Sequence, residues 1–212
     1  MQEGLFLTVE GVDGVGKGTQ MEFIKSYLKE NSIDVISIRE PGGTKIGEAI
    51  RKILLNPDNQ DMIAETELLL FNAARAQLVS EVIKPNLAAG KWVISDRFYD
   101  STLAYQVAGR GLDAKASQEI IDFACQGLEP DLTIYLDLDI ETSLKRLEAR
   151  NESKDRLESL DIDFKKRVRN KYLDLAQAKD RIKVISAAAT VPEVSNEIKK
   201  ILDVLIKANK EA

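Results

Sequence analysis

Residues 5–10 read LFLTVE, and the chain leaves that apolar run directly into GVDGVGKGTQ (residues 11–20) and then into a segment of helical period. A glycine-rich turn between a buried strand and a helix start restricts the fold more than any other stretch of this sequence. Glycines let successive backbone N–H groups converge on one point, and the start of the helix adds unpaired N–H groups and a positive dipole end. Such a turn is built to hold phosphate.

The spacing of Gly11, four residues, then Gly16-Lys17 matches the P-loop pattern as far as the lysine. The candidate ATP-binding set is Gly11, Val12, Asp13, Gly14, Val15, Gly16, Lys17, Gly18 and Thr19, with Lys17 reaching the β and γ phosphates. Gly18 stands where the usual loop places Ser or Thr, so the hydroxyl that touches the metal is missing, and Thr19 follows one residue later. Mg²⁺ would then rest on nucleotide phosphates, waters and a carboxylate from elsewhere. Asp96, closing the apolar run WVISD, supplies that carboxylate at a Walker-B-type position, directly or through water.

Five apolar runs, at 5–10, 34–38, 92–95, 132–138 and 182–186, read as buried strands. Helical periods near 17–30, 44–55, 64–89, 114–126, 140–150, 161–178 and 191–208 separate them. This alternation predicts an α/β chain with a five-stranded parallel sheet covered on both faces, a three-layer P-loop NTPase-like fold. At 212 residues the simplest organisation is a single domain. Ligands in such sheets sit beyond the carboxyl ends of the strands, so the loops after Glu10, Ile38 and Ser95 are the candidate site.

Composition narrows the partners. A net charge of -5 argues against a nucleic-acid polymer, which needs a basic surface. No apolar run approaches the roughly 18 residues of a membrane helix. The single cysteine, Cys125, cannot form an internal disulfide and suits a reducing, cytoplasmic setting. The chain has no histidine, so its chemistry proceeds without an imidazole base. Residues 145–171 run against the overall charge, with ten Lys or Arg against six Asp or Glu.

A guanine-nucleotide switch is disfavoured, because NKYLD (170–174) misses the base-reading pattern by one residue and lies in a helical context. GKGTQ taken alone is similar to adenylate kinases, and a P-loop that binds ATP as a switch without an acceptor is a further alternative. Three more stretches weigh against both: REPGGT (39–44), LFNAAR (70–75) and DRFYDSTLAYQ (96–106). With the phosphate loop and RNESKDRLE (150–158), they closely resemble bacterial thymidylate kinases, in order and through nearly the whole chain.

That resemblance implies transfer of the γ-phosphoryl of ATP to dTMP, giving dTDP and ADP with Mg²⁺, by a homodimer. It implies that Arg39 and Glu40 line the dTMP site and that Arg51 and Arg97 reach the monophosphate. Phe71 would stack on thymine and Arg75 would donate to its O4, rejecting cytosine's amino group. Thr102 would bond the pyrimidine edge and Tyr105 would crowd the 2′ position, with Ser101 and Gln106 shaping the pocket. Asp13 would lie between the sugar 3′-hydroxyl and the metal. No basic residue occupies the middle of the loop, so the resemblance is to the type that carries its arginines in a lid, here about residues 146–158. Arg150 and Arg156 would close over ATP and, with Lys17, Asp13 and Arg97, form the catalytic set.

Overall fold

The computed structural model describes residues 3–149 and 155–211. Strands β1 (Phe6–Glu10), β2 (Val35–Arg39), β3 (Trp92–Asp96), β4 (Leu132–Asp137) and β5 (Ile182–Ser186) form one sheet, ordered β2-β3-β1-β4-β5. Every neighbouring pair is parallel. All five residues of β1 are buried, as a central strand covered on both faces requires, and they include the terminal Glu10.

Helices α1 (Lys17–Glu30), α2 (Lys45–Leu55) and α3 (Ala64–Leu78) follow in the first half of the chain. The predicted helix over 64–89 is interrupted. A π-helical turn, Val79–Ile83, separates α3 from α4 (Lys84–Ala88). Pro85 explains the break, since it has no N–H to donate and its ring crowds the preceding turn.

A helix that the periodicity does not predict begins after β3. Here α5 (Tyr99–Thr102) runs into a π-helical segment, Leu103–Gly109. Tyr99, Asp100, Thr102, Leu103, Ala104, Tyr105 and Gln106 are all buried, so no polar face alternates with an apolar one. Helices α6 (Ala114–Cys125), α7 (Ile140–Ala149), α8 (Ile162–Ala178) and α9 (Val191–Glu211) complete the layers. The stretch 170–174 lies inside α8, and its Tyr172 is buried. No described helix is long and apolar enough to cross a membrane.

Buried apolar side chains from β1 to α9 form one contiguous core. Its packing is closest where α8 crosses the π-helical segment: Gly109 has no side chain there, and a Cβ would come within 2.6 Å of the Phe164 ring. That approach fixes the segment bearing Tyr105 and Gln106 over the carboxyl end of the sheet.

Candidate active site

The phosphate loop takes the conformation its glycines permit. Gly14 and Gly16 have φ of 81° and 94°, and a Cβ on Gly14 would meet Ser143 O at 2.7 Å. Gly16 caps α1 without a side-chain bond to the helix, so the first N–H groups of α1 are left to a ligand. Lys17 Nζ donates to Gly11 O (3.1 Å) and Val12 O (3.2 Å) and lies 3.5 Å from Asp13. Burial, and then the neighbouring Arg97, hold the Lys17 ammonium below its ordinary pKa.

Arg97 has a left-handed backbone, φ 72°, and its Nη2 donates to Asp13 Oδ1 at 2.7 Å and to the Tyr105 hydroxyl at 3.2 Å. Its guanidinium also sits 5.0 Å over the Tyr105 ring. Burial alone would raise the Asp13 carboxyl, but Arg97 and Lys17 outweigh it and bring the pKa down to about 2.

Arg75 is fully buried and held by several acceptors. Its Nε and Nη2 chelate Glu40 at 2.9 and 2.7 Å, while Nη1 donates to Asn72 Oδ1 (3.0 Å) and Thr102 Oγ1 (2.9 Å). Four of its five N–H groups are thereby spoken for. Thr44 caps α2, accepting from Gly47 N at 2.9 Å, and Arg51 Nη1 on that helix donates to Pro41 O at 2.8 Å. Arg39 is exposed and pairs with Glu48 at 2.9 Å.

These groups line one cavity of about 620 Å³ at the carboxyl end of the sheet. Asp13, Gly14, Gly16, Lys17, Gly18 and Thr19 form one wall. Arg39, Glu40, Arg51, Phe71, Arg75, Asp96, Arg97, Ser101, Thr102, Tyr105 and Gln106 line it as well, so every predicted substrate-binding residue is present. Gly11, Val12 and Val15 do not line it. The two valines are buried, and Gly11 serves backbone approach, since a Cβ there would lie 2.7 Å from Leu136 O.

Mutual relation to known proteins follows the same geometry. A family model described as Thymidylate kinase matches residues 9–198. The chain belongs to the thymidylate kinase family. A thymidylate kinase of Carboxydothermus hydrogenoformans is 48% identical over 200 residues, covering 94% of this chain and 97% of that protein. Another, from Ruthia magnifica, is 45% identical over 97% of this chain and the whole of its own length. The crystal structure of thymidylate kinase from Ehrlichia chaffeensis superposes with a TM-score of 0.77 at 33% identity, covering 94% of this chain and 99% of that one.

Of the two arginines expected in a lid, Arg156 lies among the described residues. Arg156 does not line the cavity. It is 3% exposed, with Nη1 2.6 Å from Glu67 Oε2 and Nε donating to Leu54 O at 2.8 Å. A buried carboxylate at the start of α3 captures the guanidinium, and Glu67 holds Arg110 and Gln106 as well, at 2.8 and 2.9 Å. Arg150 and Lys154 lie outside the described residues.

Several residues of the cavity and its support were not anticipated as site residues: Leu55, Arg146, Asp155, Leu157 and Glu158 on the wall, and the buried Glu10 and Tyr172 beneath it. A carboxylate ending a fully apolar central strand is the signal that could have found Glu10. Burial, and then Asp100, push its pKa up to about 7 against the pull of Arg97, Ser101 and Tyr172. Nothing in the spacing of α8 singles out Tyr172.

Replacing Arg75 by Ala strands Glu40 as an unpaired buried carboxylate and is expected to cost about 3–5 kcal/mol in urea unfolding. The double variant Glu40→Leu, Arg75→Leu recovers most of that loss. Equal losses in the single and double variants would show that the pair contributes by packing alone.

Proposed function

We propose the following division of labour in a chain that, as a member of this family, phosphorylates dTMP to dTDP with ATP. The phosphate loop and the start of α1 bind the ATP phosphates, with Lys17 on the transferring end. Arg97 and Arg51 hold the dTMP phosphate. The observation that carries this reading is the Arg97–Asp13 contact of 2.7 Å, which joins the ATP loop to the loop after β3.

The nucleophile is a phosphate oxygen of dTMP. A phosphate monoester has a second pKa near 6, roughly, and is mostly dianionic at pH 7. No general base is needed, so the lack of histidine is no obstacle. The protein's task is alignment of two anions and neutralisation of the charge between them.

Asp13 and Asp96 both line the cavity, and hard carboxylate oxygens suit Mg²⁺, which takes one or two of them along with substrate phosphates. These residues fit the ion: Asp96, directly or through water, and Asp13 would hold it, and bound Mg²⁺ would neutralise charge on the phosphates.

Phe71, half-buried on the cavity wall, offers its ring to thymine, while Arg75 and Thr102 read the base edge and Gln106 shapes the pocket. Glu40 holds Arg75 in place, and its remaining Nη2 proton is free to meet a carbonyl such as O4 of thymine. Tyr105, fixed beneath Arg97, limits space at the sugar 2′ position. Ser101 supports Arg97, and Arg39 sits at the rim.

The segment around 146–158 serves as a lid. Arg146 supplies charge from α7, whose Ser143 Oγ donates to Asp13 O at 2.6 Å, and Arg150 supplies it from the lid itself. Arg156 is assigned to anchoring the lid on α2 and α3 rather than to the transferring group. Arg156→Ala is then expected to lower stability by about 1–3 kcal/mol, the loss of a buried charge-assisted bond, measured in urea. A variant with unchanged stability and a large fall in kcat would return Arg156 to the transferring group.

ADP production from ATP and Mg²⁺ with dTMP, dUMP, dCMP, AMP and dGMP, each supplied separately, tests the substrate. Activity should be strongest with dTMP. One missing methyl is worth about 1–3 kcal/mol, so dUMP should follow at roughly 10- to 200-fold lower kcat/KM. Preference for AMP would overturn the base-pocket assignment.

We also propose a homodimer working in the cytoplasm. Ile53 on α2, Leu69 on α3 and Phe123 on α6 are 46, 55 and 86% exposed, and α3 packs against both other helices. Apolar side chains so placed favour burial against a second copy. Light scattering should give the mass of two chains, and a monomer at micromolar concentration would remove this assignment.

A further inference from the structure

Glu10 is 0% exposed and does not belong to the cavity wall, yet it is bonded to the residues around Arg97. Its Oε1 accepts from the backbone N–H of Phe98 at 2.7 Å. Its Oε2 accepts from the Ser101 hydroxyl at 2.6 Å and the Tyr172 hydroxyl at 2.8 Å. Phe98 is the residue after Arg97, whose backbone is left-handed. Ser101 Oγ and Tyr172 OH lie 3.2 and 3.4 Å from Arg97 Nη1.

A hydroxyl has one proton and two lone pairs. In its ionised form Glu10 accepts both protons, which leaves Ser101 and Tyr172 as acceptors toward Arg97. A neutral amide in its place would donate through its nitrogen and turn a hydroxyl proton toward the guanidinium, weakening that contact. The Phe98 N–H bond acts on the backbone in the same direction, fixing the peptide that follows an unfavourable φ. Burying a carboxylate is costly, and an apolar side chain would end β1 at lower cost. The pattern of donors thus converges on one guanidinium.

We propose that Glu10 is a positioning residue for Arg97, fixing its backbone through Phe98 and its guanidinium through Ser101 and Tyr172, so that the guanidinium keeps one place on the cavity wall beside the acceptor phosphate. This rests on the reading of Arg97 as the dTMP-phosphate grip. The carboxylate touches no reacting atom. Its side-chain bonds run to Phe98, Ser101 and Tyr172, on the acceptor side of Arg97, whereas the ATP loop meets Arg97 through Asp13.

The test is a double-mutant cycle in steady-state kinetics, with Glu10→Gln, Arg97→Ala and the double variant compared with the unaltered chain. In Glu10→Gln we expect kcat/KM for dTMP to fall about 10- to 100-fold, with KM for ATP changed less than about twofold. In the Arg97→Ala background the same change should cost less than about threefold, because the residue it acts through is gone. Losses that multiply fully, or KM for ATP rising in parallel, overturn the proposal. If Arg97→Ala itself leaves dTMP kinetics intact, the phosphate-grip reading has failed, and the proposal falls with it by a distinguishable result. Should Glu10→Gln not fold, Tyr172→Phe carries the test: a dTMP-specific loss of about 3- to 10-fold supports the proposal, and unchanged kinetics overturn it.

Discussion

The ion pair between Arg97 and Asp13, 2.7 Å long, joins the phosphate loop after β1 to the loop after β3. These strands are hydrogen-bonded neighbours, with Val9 opposite Asp96, so the two loops leave the sheet side by side. In the function proposed above, one loop holds a nucleotide's phosphates and the other presents Arg97 to a second anion. The distance between them is therefore set by a rigid sheet and one short charged contact. Alignment of two phosphates depends on that separation more than on any single binding contact, because misplacement by an ångström is costly in rate.

Charge burial around this contact follows a common rule. Arg75 with Glu40, Arg156 with Glu67, and Arg181 with Asp100 are ion pairs of 2.7, 2.6 and 2.8 Å in which both partners have little exposed side chain. Such pairs are weak sources of stability, since desolvation offsets much of the attraction. Their value is geometric: each guanidinium is held in one place by several acceptors. Arg75 arrives at the cavity already fixed, with little rotamer freedom left to lose on binding. Arg156 is held by Glu67 and Leu54 O, with its buried Nη2 unpartnered among the described residues, and it ties the segment from residue 155 to α2 and α3.

Much of this was legible in the sequence, and the reasons differ by residue. The five strands are legible because a parallel strand buried on both faces needs an unbroken apolar run. The phosphate loop is legible because glycine spacing reflects a local backbone requirement. The residues expected to bind substrate, from Arg39 to Gln106, follow from motif resemblance, and each of them does reach one cavity. The helix after β3 escaped because it is buried all round and its polar side chains have internal partners, so no periodicity marks it. The periodicity predicts an unbroken helix over 64–89 although Pro85 lies within it, and the π-helical turn that absorbs the break depends on neighbouring packing.

What the sequence determined by itself is the set of local instructions: strand, turn and helix order, the loop that binds phosphate, and the family whose motifs the chain carries. Tertiary structure decided which charges meet. Glu10 lies 162 residues from Tyr172, and their hydroxyl–carboxylate bond exists because α8 crosses over the end of β1. Arg156 looks in sequence like any basic residue of a polar lid, and only the fold brings the buried Glu67 to it. Partnership between distant charged groups depends on burial, and burial is a property of the assembled layers, not of any segment read alone.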